Sequence, residues 1–179
     1  SALIMGFGRI GQRVGALCRA LGLRVAAFDP YMERSPVEGV EMVKDFRAIL
    51  PETDFLCLHL PSTPETRDLI GAGELALLKR GAFVLNCARG GIVDEDVLCD
   101  ALESGHLGGA GLDVFAKEPP DTAHRLFRQE KVLLSPHNAA LTEECAIRMA
   151  TQAVQNVLDC LDGKLQPRVV MNRREIGMA

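Results

Sequence analysis

The chain has 179 residues, 47% hydrophobic and only 4% aromatic, with 20 basic and 24 acidic side chains for a formal charge of −4. That length suits one domain whose core is filled by aliphatic side chains, as in a sheet covered by helices on both faces. No basic stripe interleaved with aromatics, no membrane-length apolar run and no Cys-x-x-Cys or His-Glu-x-x-His pattern occurs, which argues against nucleic acid, a membrane or a metal as partner.

Residues 2–5 (ALIM) read as a first strand, followed by Gly6-Phe7-Gly8-Arg9-Ile10-Gly11 and a helix whose apolar residues Ile10, Val14, Leu17 and Leu21 fall at helical spacing. In a strand–G-x-G-x-x-G–helix unit the first glycine allows a tight turn. The second lets backbone approach a pyrophosphate, and the third lets the helix pack close against the strand. The helix N-terminus adds unpaired N–H groups and the positive dipole end. Residues 24–28 (RVAAF) read as a second strand ending at Asp29, 18 residues past Gly11, near the spacing of an acid that bonds the adenosine ribose. Such an acid repels a 2′-phosphate, so the expectation is NAD rather than NADP.

Pro30 ends that strand, and residues 39–43 form a short third one. Residues 45–50 suit one or two helical turns stopped by Pro51, and the apolar run 54–60 suits a strand buried on both faces, which puts His59, Leu60 and Pro61 at the carboxyl edge of the sheet. Thr63-Pro64-Glu65 has the order of a helix start. A short helix over 74–79 is expected to end on Gly81, followed by a strand over 82–86. Asp94 is placed to cap a helix ending near Gly105, and strands follow over 109–114 and 131–135, the latter ended by Pro136. Thr142 begins the longest helix, with Ala146, Ala150, Val154, Val157, Leu158 and Leu161 along one face and Gly163 at its end; residues 166–179 read as a tail. This alternation predicts an α/β fold of Rossmann type, a doubly wound and mainly parallel sheet over residues 1–165, with its ligand beyond the carboxyl ends of the strands.

Three post-strand segments carry groups able to do chemistry there: residues 86–91 (NCARGG), 113–120 (DVFAKEPP) and 135–138 (SPHN). Arg89 offers a bidentate fork for a carboxylate, His137 can carry a proton near neutral pH, and Glu118 can orient that imidazole and stabilise its charged form. Beside a nicotinamide these groups suffice for hydride transfer at a carbinol carbon. Each also has a structural reading: a salt bridge for Arg89, a solvated loop acid for Glu118, a hydrogen-bonded ring for His137. His59, His106 and His124 read as structural or surface residues, and Asp100 and Glu103 as a solvated helix face.

At these residues the chain resembles the nucleotide-binding domain of the D-isomer-specific 2-hydroxyacid dehydrogenases, on the fingerprint 6–11 with Asp29, residues 59–66 (HLPSTPET), 86–94 (NCARGGIVD), 111–115 (GLDVF) with Glu118-Pro119, and 135–137 (SPH). The wording NCARGGIVDE is most like phosphoglycerate dehydrogenases, with hydroxypyruvate and glyoxylate reductases near. The resemblance implies NAD-dependent oxidation or reduction of a small D-2-hydroxy or 2-keto acid, 3-phosphoglycerate among the candidates. It gives Arg89 the substrate carboxylate and carbonyl oxygen, His137 the acid/base role and Glu118 that of its partner. It gives Arg9 and Ile10 the pyrophosphate, and Asp29 the ribose. Leu60, Pro61, Cys87 and Ala88 would line the cofactor cleft, with Asp113 at the carboxamide end and Ala139 and Ala140 following His137 beside the nicotinamide.

The resemblance further implies a homodimer, to which the sequence offers apolar content around residues 71–78 and 92–102. It also implies a substrate domain built partly from residues before the fingerprint, so that this stretch alone is expected to be inactive. The six dispersed cysteines (18, 57, 87, 99, 145 and 160) suggest small buried hydrophobes in a reducing, cytoplasmic setting. A rival reading from another class is an NAD(H)-sensing binding protein, corepressor-like, on the same fold and without metabolic turnover.

Overall fold

The computed structural model describes residues 1–173 and 175–177. Seven strands, β1 (Ala2–Met5), β2 (Val25–Phe28), β3 (Val40–Met42), β4 (Phe55–Leu58), β5 (Phe83–Asn86), β6 (Gly109–Leu112) and β7 (Val132–Leu134), form one sheet in the order β3-β2-β1-β4-β5-β6-β7. Every pairing is parallel. The order reverses direction between β1 and β4, which makes the seam at their carboxyl ends the switch point of a doubly wound Rossmann sheet. The helices are α1 (Arg9–Ala20), α2 (Ala72–Leu77), α3 (Glu95–Glu103) and α4 (Glu143–Leu161).

Register aligns one row of residues across six strands: Phe28, Met5, Leu58, Asn86, Leu112 and Leu134 are successive partners. Because side chains alternate along a strand, the sheet divides the interior in two. Ala2, Ile4, Val25, Ala27, Val40 and Cys57 face α1. Leu3, Met5, Leu56, Leu58 and Val84 share the other core with Leu75 of α2 and Leu98 and Leu102 of α3. Each fully buried leucine or isoleucine there adds about 1.5–3 kcal/mol over its exposed state. Contacts divide the chain into two compact units, Ser1–His137 and Asn138–Ala179; the sequence reading draws its domain boundary later, at 165. The second unit contains α4, capped by the Thr142 hydroxyl on the Cys145 N–H at 3.2 Å, and none of the helix's residues is buried.

Several local expectations are corrected. The helix α1 forms as expected, but of its four spaced apolar residues Val14 alone packs inward, with Cys18 beside it, while Ile10, Leu17 and Leu21 are 65–79% exposed and Gly11 and Gly15 are the buried residues. A Cβ on Gly15 would lie 3.0 Å from the Phe7 ring, so the missing side chain lets the helix approach that ring. Thr63-Pro64-Glu65 opens a run of turns and no helix, because the Asp68 and Ile70 N–H groups donate to the Gly91 and Ile92 carbonyls instead of to an i−4 partner. Residues 45–50 also lack an α-helix; a 3₁₀ turn, Leu50–Glu52, contains Pro51 in its first positions, where a missing N–H costs nothing. Helix α2 starts two residues early, with Glu74 accepting the Gly71 N–H at 3.2 Å. Gly81 is not its cap, since its N–H goes to the His106 carbonyl. The apolar residues of 71–78 and 92–102 lie largely in the core. Of the six cysteines, all free, only Cys57 and Cys99 are buried, and Cys87 and Cys160 are exposed.

Candidate active site

Each candidate side chain leaves the sheet within a few residues of the aligned row. Gly6 follows Met5, Asp29 follows Phe28, His59 follows Leu58, Cys87 follows Asn86, Asp113 follows Leu112 and Ser135 follows Leu134. With neighbouring strands about 4.8 Å apart, six functional segments start side by side along one edge.

At the switch point Gly6 has φ +86°, which an L side chain rarely adopts, and a Cβ on it would sit 2.6 Å from the His59 carbonyl oxygen. On Gly11 a Cβ would meet the Gly6 carbonyl at 2.1 Å, so helix and turn are in backbone contact. At Gly8 it would meet nothing within 4 Å. That glycine opens the approach to the start of α1, where no side chain caps the helix and no acid stands in the first turn. An anion fits such an end. Asp29 is fixed beside it: one oxygen accepts the Phe7 N–H at 2.9 Å and the other the Tyr31 N–H at 3.0 Å. It borders an open pocket of about 560 Å³ together with Phe28, Pro30, Met32, Glu33, Arg34, Met42, Val43 and Lys44. A dinucleotide fits this donor set, an uncapped helix N-terminus beside a fixed carboxylate.

Further along the edge, buried Asn86 clamps the loop that carries Arg89: its amide donates to the Arg89 carbonyl at 3.0 Å and accepts the Ala88 N–H at 3.1 Å. The Arg89 guanidinium is exposed, bonds the Ala88 carbonyl at 2.6 Å, and pairs with no acid among the described residues. The next residue is jammed against the neighbouring loop, since a Cβ on Gly90 would lie 1.7 Å from the Phe115 carbonyl oxygen. Cys87 is exposed as a residue at this edge, and partial desolvation of its thiol, followed by the charge of Asp113, raises its pKa. It stays protonated.

The third group is a pair. His137 Nδ1 stands 2.8 Å from Glu118 Oε2, and Glu118 Oε1 accepts the Phe115 N–H at 3.1 Å. The His137 bond first, and the Phe115 N–H second, hold the Glu118 carboxyl below the usual carboxylate range. His137 has φ +53° and its own N–H is fixed on the Asp113 carbonyl at 2.7 Å. Asp113 is buried, and the Ser135 hydroxyl donates to its carboxylate at 2.5 Å. The pair borders an open, mostly apolar pocket of about 330 Å³ with Phe115, Pro119, Pro120, Phe127, Leu134, Ser135 and Pro136. With Nδ1 engaged, Nε2 is the nitrogen left for a substrate.

Of the residues predicted from sequence, the first unit brings the glycine turn, Asp29, Leu60, Pro61, Cys87, Ala88, Arg89, Asp113, Glu118 and His137 to one sheet edge. Ala139 and Ala140 belong to the second unit. His106 and His124 have structural bonds, to the Leu75 carbonyl and the Leu126 N–H, and Asp100 and Glu103 hold Arg125. His59 is half-buried, both ring nitrogens lack a partner among the described residues, and burial lowers its pKa, so the ring is neutral. Sequence reasoning gave no role to Asn86 or Glu95; an amide on the last residue of a strand just before a glycine-rich loop was the available signal for the former.

Comparison with known proteins agrees with this geometry. The family model "D-isomer specific 2-hydroxyacid dehydrogenase, NAD binding domain" matches residues 1–139. The D-3-phosphoglycerate dehydrogenase of Methanocaldococcus jannaschii is 40% identical over 169 residues, covering 93% of this chain and 32% of the relative. The glyoxylate reductase of Aeropyrum pernix is 41% identical over 172 residues, covering 93% and 50%. Among solved structures, the NAD-complexed D-isomer specific 2-hydroxyacid dehydrogenase of Lactobacillus delbrueckii ssp. bulgaricus superposes with a TM-score of 0.85 at 31% identity, covering 96% of this chain and 56% of that one. The chain therefore spans about a third to a half of the length of these relatives.

Proposed function

The chain belongs to the D-isomer-specific 2-hydroxyacid dehydrogenase family, whose NAD-binding domain it forms, and on that premise we propose that the protein interconverts a small D-2-hydroxy acid and its 2-keto acid. The observation that carries the reading is the Glu118–His137 pair at 2.8 Å, in the segments that follow β6 and β7, with Arg89 in the segment after neighbouring β5 meeting no acid among the described residues. Arg89 binds the substrate carboxylate through its fork and turns the carbonyl toward His137. His137 Nε2 donates a proton to the forming alkoxide in reduction and removes it in oxidation. Glu118 accepts the Nδ1 proton, fixes the tautomer and stabilises the imidazolium. NAD(H), when bound, supplies or takes up the hydride.

Among substrates, 3-phosphoglycerate is the first to test, since the relatives include several D-3-phosphoglycerate dehydrogenases. A homodimer through this domain belongs to the same reading. Its support is one sheet face that leaves Phe55, Phe83, Leu85 and Leu133 36–81% exposed. The six free thiols support a reducing, cytoplasmic setting. No helix among the described residues is long and apolar enough to cross a membrane.

The test is a panel of 2-keto acids with NADH and the full-length protein, followed by His137→Asn. That variant should lose turnover by roughly 10²–10⁴-fold, the span of general acid–base catalysis, and keep its NAD affinity. No turnover with any keto acid, alongside tight NADH binding, would favour a sensor. Near-normal turnover in His137→Asn with chemistry rate-limiting removes His137 from the mechanism.

A further inference from the structure

Glu95 is the first residue of α3, a position where an acid ordinarily serves the helix dipole. Here that need is met without it. Asp94 caps the helix by accepting the Asp96 and Val97 N–H groups, both at 3.1 Å, and Asp96 supplies a second charge in the first turn. The Glu95 side chain instead leaves the helix and accepts the backbone N–H of Ala116 at 2.6 Å. Ala116 directly follows Phe115, whose N–H is held by Glu118 and whose carbonyl abuts Gly90. The Phe115 ring is 7% exposed and stacks on Phe127, with centroids 5.8 Å apart. Two adjacent amides thus bind two glutamates, one on the helix and one in the proton-transfer pair.

We propose that Glu95 is a positioning residue: by fixing the Ala116 amide it holds the turn that carries Glu118 against His137, and ties that turn to the helix following the Arg89 loop. Glu95 touches neither substrate nor cofactor. Its role in turnover rests on the dehydrogenase reading, but the geometric claim does not.

Two conservative variants separate reach from charge. Glu95→Gln keeps an oxygen at the same reach and loses the charge. Glu95→Asp keeps the charge in the first turn of α3 and is shorter by one C–C bond, about 1.5 Å. In this chain, amide exchange at Phe115 and Ala116 and the ring resonances of His137 are followed by NMR. In the full-length protein, kcat and KM of keto-acid reduction are measured. Glu95→Gln should match the parent in all of these. Glu95→Asp and Glu95→Ala should exchange both amides at least about tenfold faster. They should also displace the His137 ring resonances and lower kcat about tenfold, near 1.4 kcal/mol, with KM for NADH unchanged.

If Glu95→Asp is harmless while Glu95→Gln behaves like Glu95→Ala, the residue serves only the helix charge and the proposal fails. It also fails if the amides lose protection while the His137 ring resonances stay in place. Should no keto acid be reduced, the dehydrogenase reading falls, and the amide exchange and ring resonances still decide the role of Glu95.

Discussion

Replacing Gly90 by alanine tests whether the Arg89 loop and the Glu118 loop share one frame. The added Cβ would stand 1.7 Å from the Phe115 carbonyl oxygen, 2.1 Å from its carbon and 2.6 Å from the Ala116 nitrogen. All three are backbone atoms, so no flexible side chain can swing aside. Since real Cβ contacts essentially never fall under 3.0 Å, the two loops must separate by about 1.3 Å, and Arg89 must move relative to Glu118 and His137. A misplacement of about 1 Å between catalytic groups costs on the order of 10²-fold, and overpacking costs about 1–3 kcal/mol. For a chain of this size that is a fall of about 2–12 °C in Tm. The assay is kcat/KM of the full-length Gly90→Ala protein, with Tm and NADH affinity measured alongside. Gly8→Ala is the control: its Cβ meets nothing, so Tm should hold while dinucleotide affinity drops. Parental kcat/KM and Tm in Gly90→Ala would refute the close seating of the two loops.

Glu118→Gln retains shape and loses the charge that stabilises protonated His137. Reduction, which needs the proton on Nε2, should therefore slow about tenfold, near 1.4 kcal/mol, with KM for NADH unchanged; a parental kcat would remove Glu118 as the partner. Isothermal titration with NADH and NADPH should favour NADH, because the Asp29 carboxylate bordering the pocket would repel a 2′-phosphate. Asp29→Ala should narrow the gap, since Arg34 and Lys44 border the same pocket and pair with no acid among the described residues. Equal affinities in the parent would overturn the role of Asp29. His59 is neutral when folded, with its pKa lowered from 6.5 by burial, so below that value the unfolded chain binds the extra proton. Its effect on stability should be absent at pH 7.5 and grow as pH falls through 6.5; urea unfolding of His59→Gln should show a shallower loss between pH 7 and 5, and an identical slope would argue otherwise.

Much of the sheet was legible because its signals are local. Short apolar runs marked all seven strands, five of them ended by glycine, proline or aspartate, and parallel topology followed from the helical segments between them. The placement of the glycine fingerprint, Asp29, Arg89, Glu118 and His137 along the carboxyl edge was likewise readable, since each follows a strand. Hydrophobic periodicity found the helix α1 but only part of its face: Val14 packs inward with Cys18, Gly11 and Gly15 score as neutral though they are buried, and Ile10, Leu17 and Leu21 point outward. The helix start at Thr63 failed because long-range donors at Asp68 and Ile70 outcompete a local turn, and no window of sequence contains Gly91 and Ile92 as their acceptors. The clamp by Asn86 and the reach of Glu95 to Ala116, 21 positions away, are likewise products of packing.

The aligned row from Phe28 to Leu134 also divides the chain's turns into two populations. Those leaving the carboxyl edge are each measured from the row in residues, so an insertion of even one residue between Asn86 and Arg89 or between Leu134 and His137 displaces a reacting group by about 3.3 Å. The turns at the other edge carry no such count. The one at exposed Gly22, where an added side chain meets nothing within 4 Å, can be lengthened, opened to make new termini, or used to carry a fluorescent module. A biosensor built from this domain should be spliced there, where the graft leaves the spacing of the reacting groups untouched.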